Sequence, residues 1–146
     1  MENHLLQSEF IPYIKALALK ELGFNEPCIA WYNTKNEFYM VYQPGYINGK
    51  KTNYIATNIN YNNTDETCSA PLYQQVFKWF RENHNYNTEV GYRNAYKDYL
   101  ANLYPIQPAT KVHFCGTYKN YEQAELACLN KLILICKNEK QSNNKV

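Results

Sequence analysis

The chain has no run approaching 18 apolar residues, no basic leader followed by an apolar stretch within MENHLLQSEF, no CxxC pair and no phosphate-cradling glycine loop. These absences exclude a membrane-spanning helix, argue against export and remove the usual signatures of zinc ribbons and nucleotide-binding loops. Only two aspartates and five glycines are present. Paired carboxylates and the H-x-E with P-C-x-x-C pattern of zinc deaminases are absent or unrecognisable, and most other catalytic templates cannot be populated. The expectation is a protein that is not an enzyme and carries neither cofactor nor metal. Without export, the five cysteines (Cys28, Cys68, Cys115, Cys128 and Cys136) are expected as reduced thiols in the host cytoplasm, and the sequon Asn62-Asn63-Thr64 carries no glycan.

What is present fits one domain. The 146 residues carry a net charge of +2, and Val, Ile, Leu and Phe make up 32 of them, about 22%, which only just suffices for a core. Fifteen tyrosines and two tryptophans supply the remaining apolar area. Asn, Tyr, Lys and Ile account for 57 residues, a bias that an AT-rich coding sequence explains as readily as selection does. The expected organisation is a single α+β domain over 1–137 followed by a polar tail over 138–146 that frays.

Periodicity predicts three helices. Pro12 to Phe24 forms the first, with Gly23 just past its last turn and Phe24 placed to touch Leu19. Leu72 to Asn83 forms the second, with Leu72, Tyr73, Val76, Phe77 and Phe80 on one face and Trp79 about 100° around from Phe80, either widening that face or lying at its edge. The third runs from about Tyr118 to Lys137, with Tyr121, Ala124, Cys128, Leu129, Leu132, Ile135 and Cys136 aligned. Between the first two, Cys28–Tyr32 and Phe38–Tyr42 flank a polar turn and read as a hairpin. Pro44 to Thr67 holds six asparagines, two glycines and one candidate strand at 54–61, and reads as the most variable segment. Thr88 to Pro105 fits a helical stripe of Tyr92, Ala95, Tyr96, Tyr99, Leu100 and Leu103, yet Gly91, Asn94, Asp98 and Asn102 oppose a helix, so a second hairpin is expected. Val112 to Cys115 adds a short strand ended by Gly116. The sum is an antiparallel sheet of four or five strands packed with three amphipathic helices.

Three strings, IPYIKALALKELGFNEPC at 11–28, SAPLYQQVFKWFRENHN at 69–85 and YEQAELACLNKLI at 121–133, resemble a family of small uncharacterised proteins encoded by bacteriophages, including crAss-like phages, and by mobile elements of gut anaerobes. The resemblance covers about a third of the chain, and its middle block is the most specific. It implies a phage or mobile-element origin, a compact α+β fold and a hairpin between the second and third helices, but no activity and no catalytic residue. The segments 44–67 and 88–110 lie outside it.

Among side chains that could carry chemistry, His113 and Cys115 offer two metal-ligand types within three residues, and Cys128 and Cys136 share a helix face, but no close ligand pair accompanies them. Core packing is the simpler account of both helix cysteines. Cys68 and Cys115 are the plausible nucleophilic thiols, with His84 or His113 as base, and no local signature supports either. Lys78, Trp79 and Arg81 on the second helix, with Tyr92, Arg93, Tyr96 and Lys97 in the hairpin, interleave aromatic and basic groups. That mixture suits stacking on nucleic acid, although a charge of +2 falls short of a dedicated binder. Tyrosine also gives rigid amphipathic area for protein contacts.

The working expectation is therefore a non-enzymatic phage accessory protein that binds a host protein or a small signalling molecule, with an anti-defence or host-takeover role. Its surface would use Trp79, Arg81, Tyr92, Arg93, Tyr96 and Lys97. A nucleic-acid-binding accessory protein is the alternative, and a small structural or assembly protein of the phage particle is the third reading. No membrane partner is expected, and homo-oligomerisation stays open.

Overall fold

Gly23 follows the last turn of the first helix in a left-handed conformation (φ 99°), where the next amide, Phe24 N–H, donates to Leu19 O at 3.0 Å. A residue with a Cβ is strained there, so the glycine ends the helix at the expected place. The computed structural model describes residues 7–40, 42–47, 50–55, 59–107 and 111–143, with the backbone alone for 42–47 and 50–55. It divides after Leu72 into two compact units, each containing helix and antiparallel sheet, so the α+β class holds for both.

The first unit contains helix α1 (Tyr13–Leu22), strands β1 (Ala30–Asn33) and β2 (Phe38–Met40), β3 (Tyr42–Ile47), β4 (Lys50–Ile55), a 3₁₀ turn at Tyr61–Asn63, and β5 (Thr67–Ser69). β1 lies between β2 and β5, pairing Trp31 with both Tyr39 and Ser69. The β1–β2 turn is fastened by Asn33, whose Oδ1 accepts from the amides of Lys35 at 2.9 Å and Glu37 at 3.0 Å, while Asn36 takes positive φ. Phe10, Ile11, Leu19, Phe24, Cys28, Ala30 and Tyr32 are buried here. Pro44 to Thr67 carries more strand than the one candidate expected, because β3 and β4 pair along their whole lengths, from Tyr42 opposite Ile55 to Ile47 opposite Lys50. Of the candidate strand at 54–61, Tyr54 and Ile55 end β4, residues 56–58 lie outside the described residues, and Tyr61 falls in the 3₁₀ turn.

The second unit runs α2 (Tyr73–His84), β6 (Tyr86–Arg93), β7 (Asp98–Pro105), β8 (His113–Tyr118) and α3 (Tyr121–Asn143). Asn85, at φ 59°, turns the chain from α2 into β6. The hairpin expected over 88–105 is present, with Tyr86 to Arg93 in unbroken register against Pro105 to Asp98. β8 joins the other side of β7, giving the order β6-β7-β8. Asn120 Oδ1 accepts from Gln123 N–H at 2.9 Å and caps α3. One face of α3 packs on the sheet through Ala124, Cys128, Leu129, Leu132, Ile133 and Cys136, over Ala101 and Leu103. The helix continues to Asn143, into the stretch expected to fray.

The four or five strands of a single sheet were thus an underestimate. The described residues form two three-stranded antiparallel sheets, six strands in all, and the β3–β4 hairpin besides. Among them, no helix is long and apolar enough to cross a membrane.

Candidate functional site

The tight turn between β6 and β7 gathers four of the six proposed surface residues. The amides of Tyr96 and Lys97 donate to Arg93 O at 3.2 and 2.8 Å, and Lys97 takes positive φ (52°) to close the loop. Arg93 then folds back: its Nε donates to Asp98 Oδ1 at 2.8 Å and its Nη2 to Oδ2 at 2.7 Å, a two-pronged ion pair. That pairing holds the Asp98 carboxyl below its ordinary range and raises the Arg93 guanidinium. The same guanidinium lies 4.4 Å from the centre of the Tyr96 ring. Tyr96 is 66% exposed and Tyr92 52% exposed.

Beneath the turn, Tyr92 contacts Tyr99 with ring centres 5.1 Å apart, and Tyr99 meets Tyr121 edge-on at 5.8 Å. Tyr121 is itself exposed at the start of α3, and burial with the nearby Glu125 raises its hydroxyl pKa. Lys97 and Lys119 are exposed at the same end. Arg93 is committed to Asp98 and Tyr96, so the cations presented outward there are lysines.

The surface continues along the edge of β8. Tyr118, which pairs with Tyr99, also lines an open groove of about 620 Å³ between β8 and α3, whose apolar rim is Phe114 and Leu134 and whose inner wall holds Cys115 and Lys131. A bulge makes this groove. Phe114 pairs with Asn102 and Gly116 with Ala101, leaving Cys115 as the extra residue. Gly116, at φ 126°, lets the Tyr118 ring cross close by, and Tyr118 Oη donates to Cys115 O at 2.8 Å. Cys115 Sγ donates to His113 O at 3.6 Å and Cys128 Sγ to Asn102 O at 3.8 Å, and the neighbouring Cys128 side chain holds Cys115 below the usual thiol range against partial burial, with Lys131 adding to the effect. Cys128 is pushed far up by the same neighbour and by burial.

Two proposed residues fall elsewhere. Trp79 is 5% exposed, its ring packed edge-on against Phe80 at 5.0 Å and His84 at 4.7 Å, so it widens the buried face of α2 and leaves the binding surface. Arg81 is exposed on α2, one turn before the helix feeds into Tyr86, whereas Tyr92 lies about 20 Å further along β6 at a strand rise of about 3.3 Å per residue. Lys78 pairs across one helical turn with Glu82 at 3.9 Å. Of the candidate nucleophiles, Cys68 is buried and pushed up to about 11 by that burial, and Cys115 donates to the backbone carbonyl of His113 at 3.6 Å where the imidazole was considered as a base.

Tyr99, Tyr118, Tyr121, Phe114 and Leu134 adjoin the turn or line the groove beyond the six residues singled out from the sequence. Tyr99 was readable as the cross-strand neighbour of Tyr92 once the hairpin register is drawn, but the groove depends on a bulge that periodicity does not show. Comparison of the chain with protein-family models, curated proteins and solved structures gives no match.

Proposed function

We propose that this chain is a non-enzymatic accessory protein of a phage or mobile element that binds a host protein or signalling molecule, in an anti-defence or host-takeover role. Its contact surface is the tyrosine end of the second unit with the adjoining β8 groove. The supporting observation is the bracing of exposed rings: Tyr92 against Tyr99, Tyr99 against Tyr121, and Tyr96 under Arg93 held by Asp98. Such rings lose little side-chain freedom on binding and carry hydroxyls for the rim of an interface, the composition that recurs at binding hot spots. The family resemblance supports the phage origin and adds no reaction.

A second reading, nucleic-acid binding, draws on Lys97 and Lys119 beside the tyrosines. The Arg93–Asp98 pair weakens it by neutralising the strongest phosphate ligand at that end.

Capture from host lysate separates the two. Tagged full-length chain is expected to retain one stoichiometric protein that the Tyr92→Ala/Tyr96→Ala variant loses and the Arg81→Ala variant keeps. Retention of a labelled oligonucleotide that falls steeply with salt and disappears in Lys97→Ala/Lys119→Ala would instead establish the nucleic-acid reading.

A further inference from the structure

We infer that His84, Cys136 and Glu139 form a three-ligand site for a zinc-class divalent ion at the end of the second unit opposite the tyrosines. The ligand atoms of the three side chains lie within 4.8 Å of one another. Among the described residues this is the one group of three or more metal-ligating side chains so placed. The inference does not depend on the function proposed above.

The fold assembles the site from distant parts of the chain. His84 closes α2, and its ring is fixed by Trp79 at 4.7 Å and Phe80 at 5.5 Å. Cys136 and Glu139 are three residues apart on α3, a spacing that places them on one helix face. α2 and α3 pack together, which brings the imidazole to that face. Tyr86 Oη donates to Glu139 Oε1 at 3.3 Å, the kind of outer contact that orients a metal-binding carboxylate.

The donor set selects the ion. One sulfur, one imidazole nitrogen and one carboxylate oxygen suit Zn²⁺ and disfavour Mg²⁺ and Ca²⁺, which take oxygen ligands. Around a tetrahedral zinc the ligand atoms stand roughly 3.3–3.6 Å apart, so closure of about 1 Å completes the site. Glu139 can supply it, because its side chain is exposed while Cys136 is buried and His84 half-buried. The exposed carboxylate is also the route of entry. On binding, the Cys136 thiol gives its proton to solvent and the thiolate bonds the metal. Three protein ligands leave the fourth position to water or an incoming ligand.

The site lies about 27 Å from the tyrosine end, the rise of α3 between Tyr121 and Glu139 at 1.5 Å per residue. A bound ion would tie the ends of α2 and α3 together beneath the start of the sheet.

Cobalt titration of the full chain, stripped of metal with a chelator and kept reduced, tests this. Co²⁺ is expected to give a thiolate-to-cobalt charge-transfer band and the intense visible absorption of a tetrahedral site, saturating at one equivalent and displaced by Zn²⁺. Cys136→Ser should lose the charge-transfer band, and Cys115→Ser should keep it. Tyr86→Phe should weaken binding by about tenfold and Glu139→Ala, which alters only an exposed side chain, by more. Circular dichroism of Cys136→Ser separates a lost ligand from a lost fold, and should that variant unfold, Glu139→Ala decides alone. Absence of the band in the native chain, a band that survives both Cys136→Ser and Glu139→Ala, or one removed only by Cys115→Ser would overturn the assignment.

Discussion

Each unit contains a chain of three aromatic rings, and the two chains are built in opposite ways. In the first unit Trp31 lies between Tyr39 at 4.5 Å and Tyr61 at 5.6 Å, both nearly parallel to it at 18°. In the second, Tyr92, Tyr99 and Tyr121 meet at 58° and 81°. Parallel stacking spends ring faces on one another, whereas crossed rings brace each other and leave faces outward. The hydroxyls differ too. Among the described residues, Tyr39 Oη donates to Glu37 Oε2 at 3.0 Å and Tyr61 Oη is buried without a hydrogen-bond partner, while those of the exposed Tyr92 and Tyr96 have none. Tyrosine abundance therefore carries no functional meaning by itself; angle and exposure decide which rings can serve a partner.

The largest test of this contrast is Tyr32, the buried tyrosine of the first unit, whose Oη donates to Ile11 O at 2.9 Å. Tyr32→Ala should cost about 3–5 kcal/mol in denaturant unfolding, and Tyr32→Phe about 1–3 kcal/mol, because the Ile11 carbonyl loses its donor. Tyr96→Ala should stay within about 0.5 kcal/mol, as exposed substitutions do. Comparable losses at Tyr32 and Tyr96 would erase the distinction between packing and recognition tyrosines. Burial raises the Tyr32 hydroxyl pKa above its ordinary value, with a smaller opposing effect from Gln7. The folded state thus disfavours ionisation, so this contribution is intact below the unfolded value of about 10 and is lost as pH rises through the higher folded value. Tyr32→Phe should be the less sensitive of the two proteins to alkali.

A smaller effect is expected at the groove. A Cβ on Gly116 would stand 2.6 Å from Tyr118 Oη at a backbone φ of 126°. Gly116→Ala should therefore destabilise by about 1–3 kcal/mol and displace Tyr118, reducing partner binding without touching Tyr92 or Tyr96. Unchanged stability and binding would detach the groove from the tyrosine surface.

The smallest effect concerns reactivity alone. Cys115, with its lowered pKa and partial exposure, should be alkylated by iodoacetamide first, ahead of Cys68 and Cys136, which burial pushes up to about 11 and about 12. Mass mapping of early adducts checks the order, and prior labelling at Cys68 would contradict the burial that separates them.

Local chemistry made much of this architecture legible. Gly23 ended its helix as its backbone freedom requires, and the hairpin over 86–105 prevailed over a helical stripe because Gly91, Asn94, Asp98 and Asn102 oppose a helix while the turn from Arg93 to Asp98 closes readily. What stayed hidden depends on pairing and tertiary contact. The β3–β4 hairpin lacks apolar alternation, so periodicity did not show it, although the dipeptide Asn48-Gly49 between Ile47 and Lys50 is a two-residue hairpin signal that the sequence carries. Trp79 stood off the stripe by helical geometry, but Phe80 and His84 enclose its ring. The same packing brings His84 to Cys136 and Glu139, which no sequence spacing announces.

One measurement is decisive: the affinity of the purified captured partner for three forms of the protein, native, Tyr92→Ala/Tyr96→Ala and Tyr39→Ala, with melting temperatures taken alongside. The double variant should bind about 30-fold or more weakly at an unchanged melting temperature, as loss of a 2 kcal/mol hot spot implies, and Tyr39→Ala should bind as the native chain does. Full affinity in the double variant, with the loss falling on Tyr39→Ala, would place recognition on the stacked rings of the first unit and contradict the account.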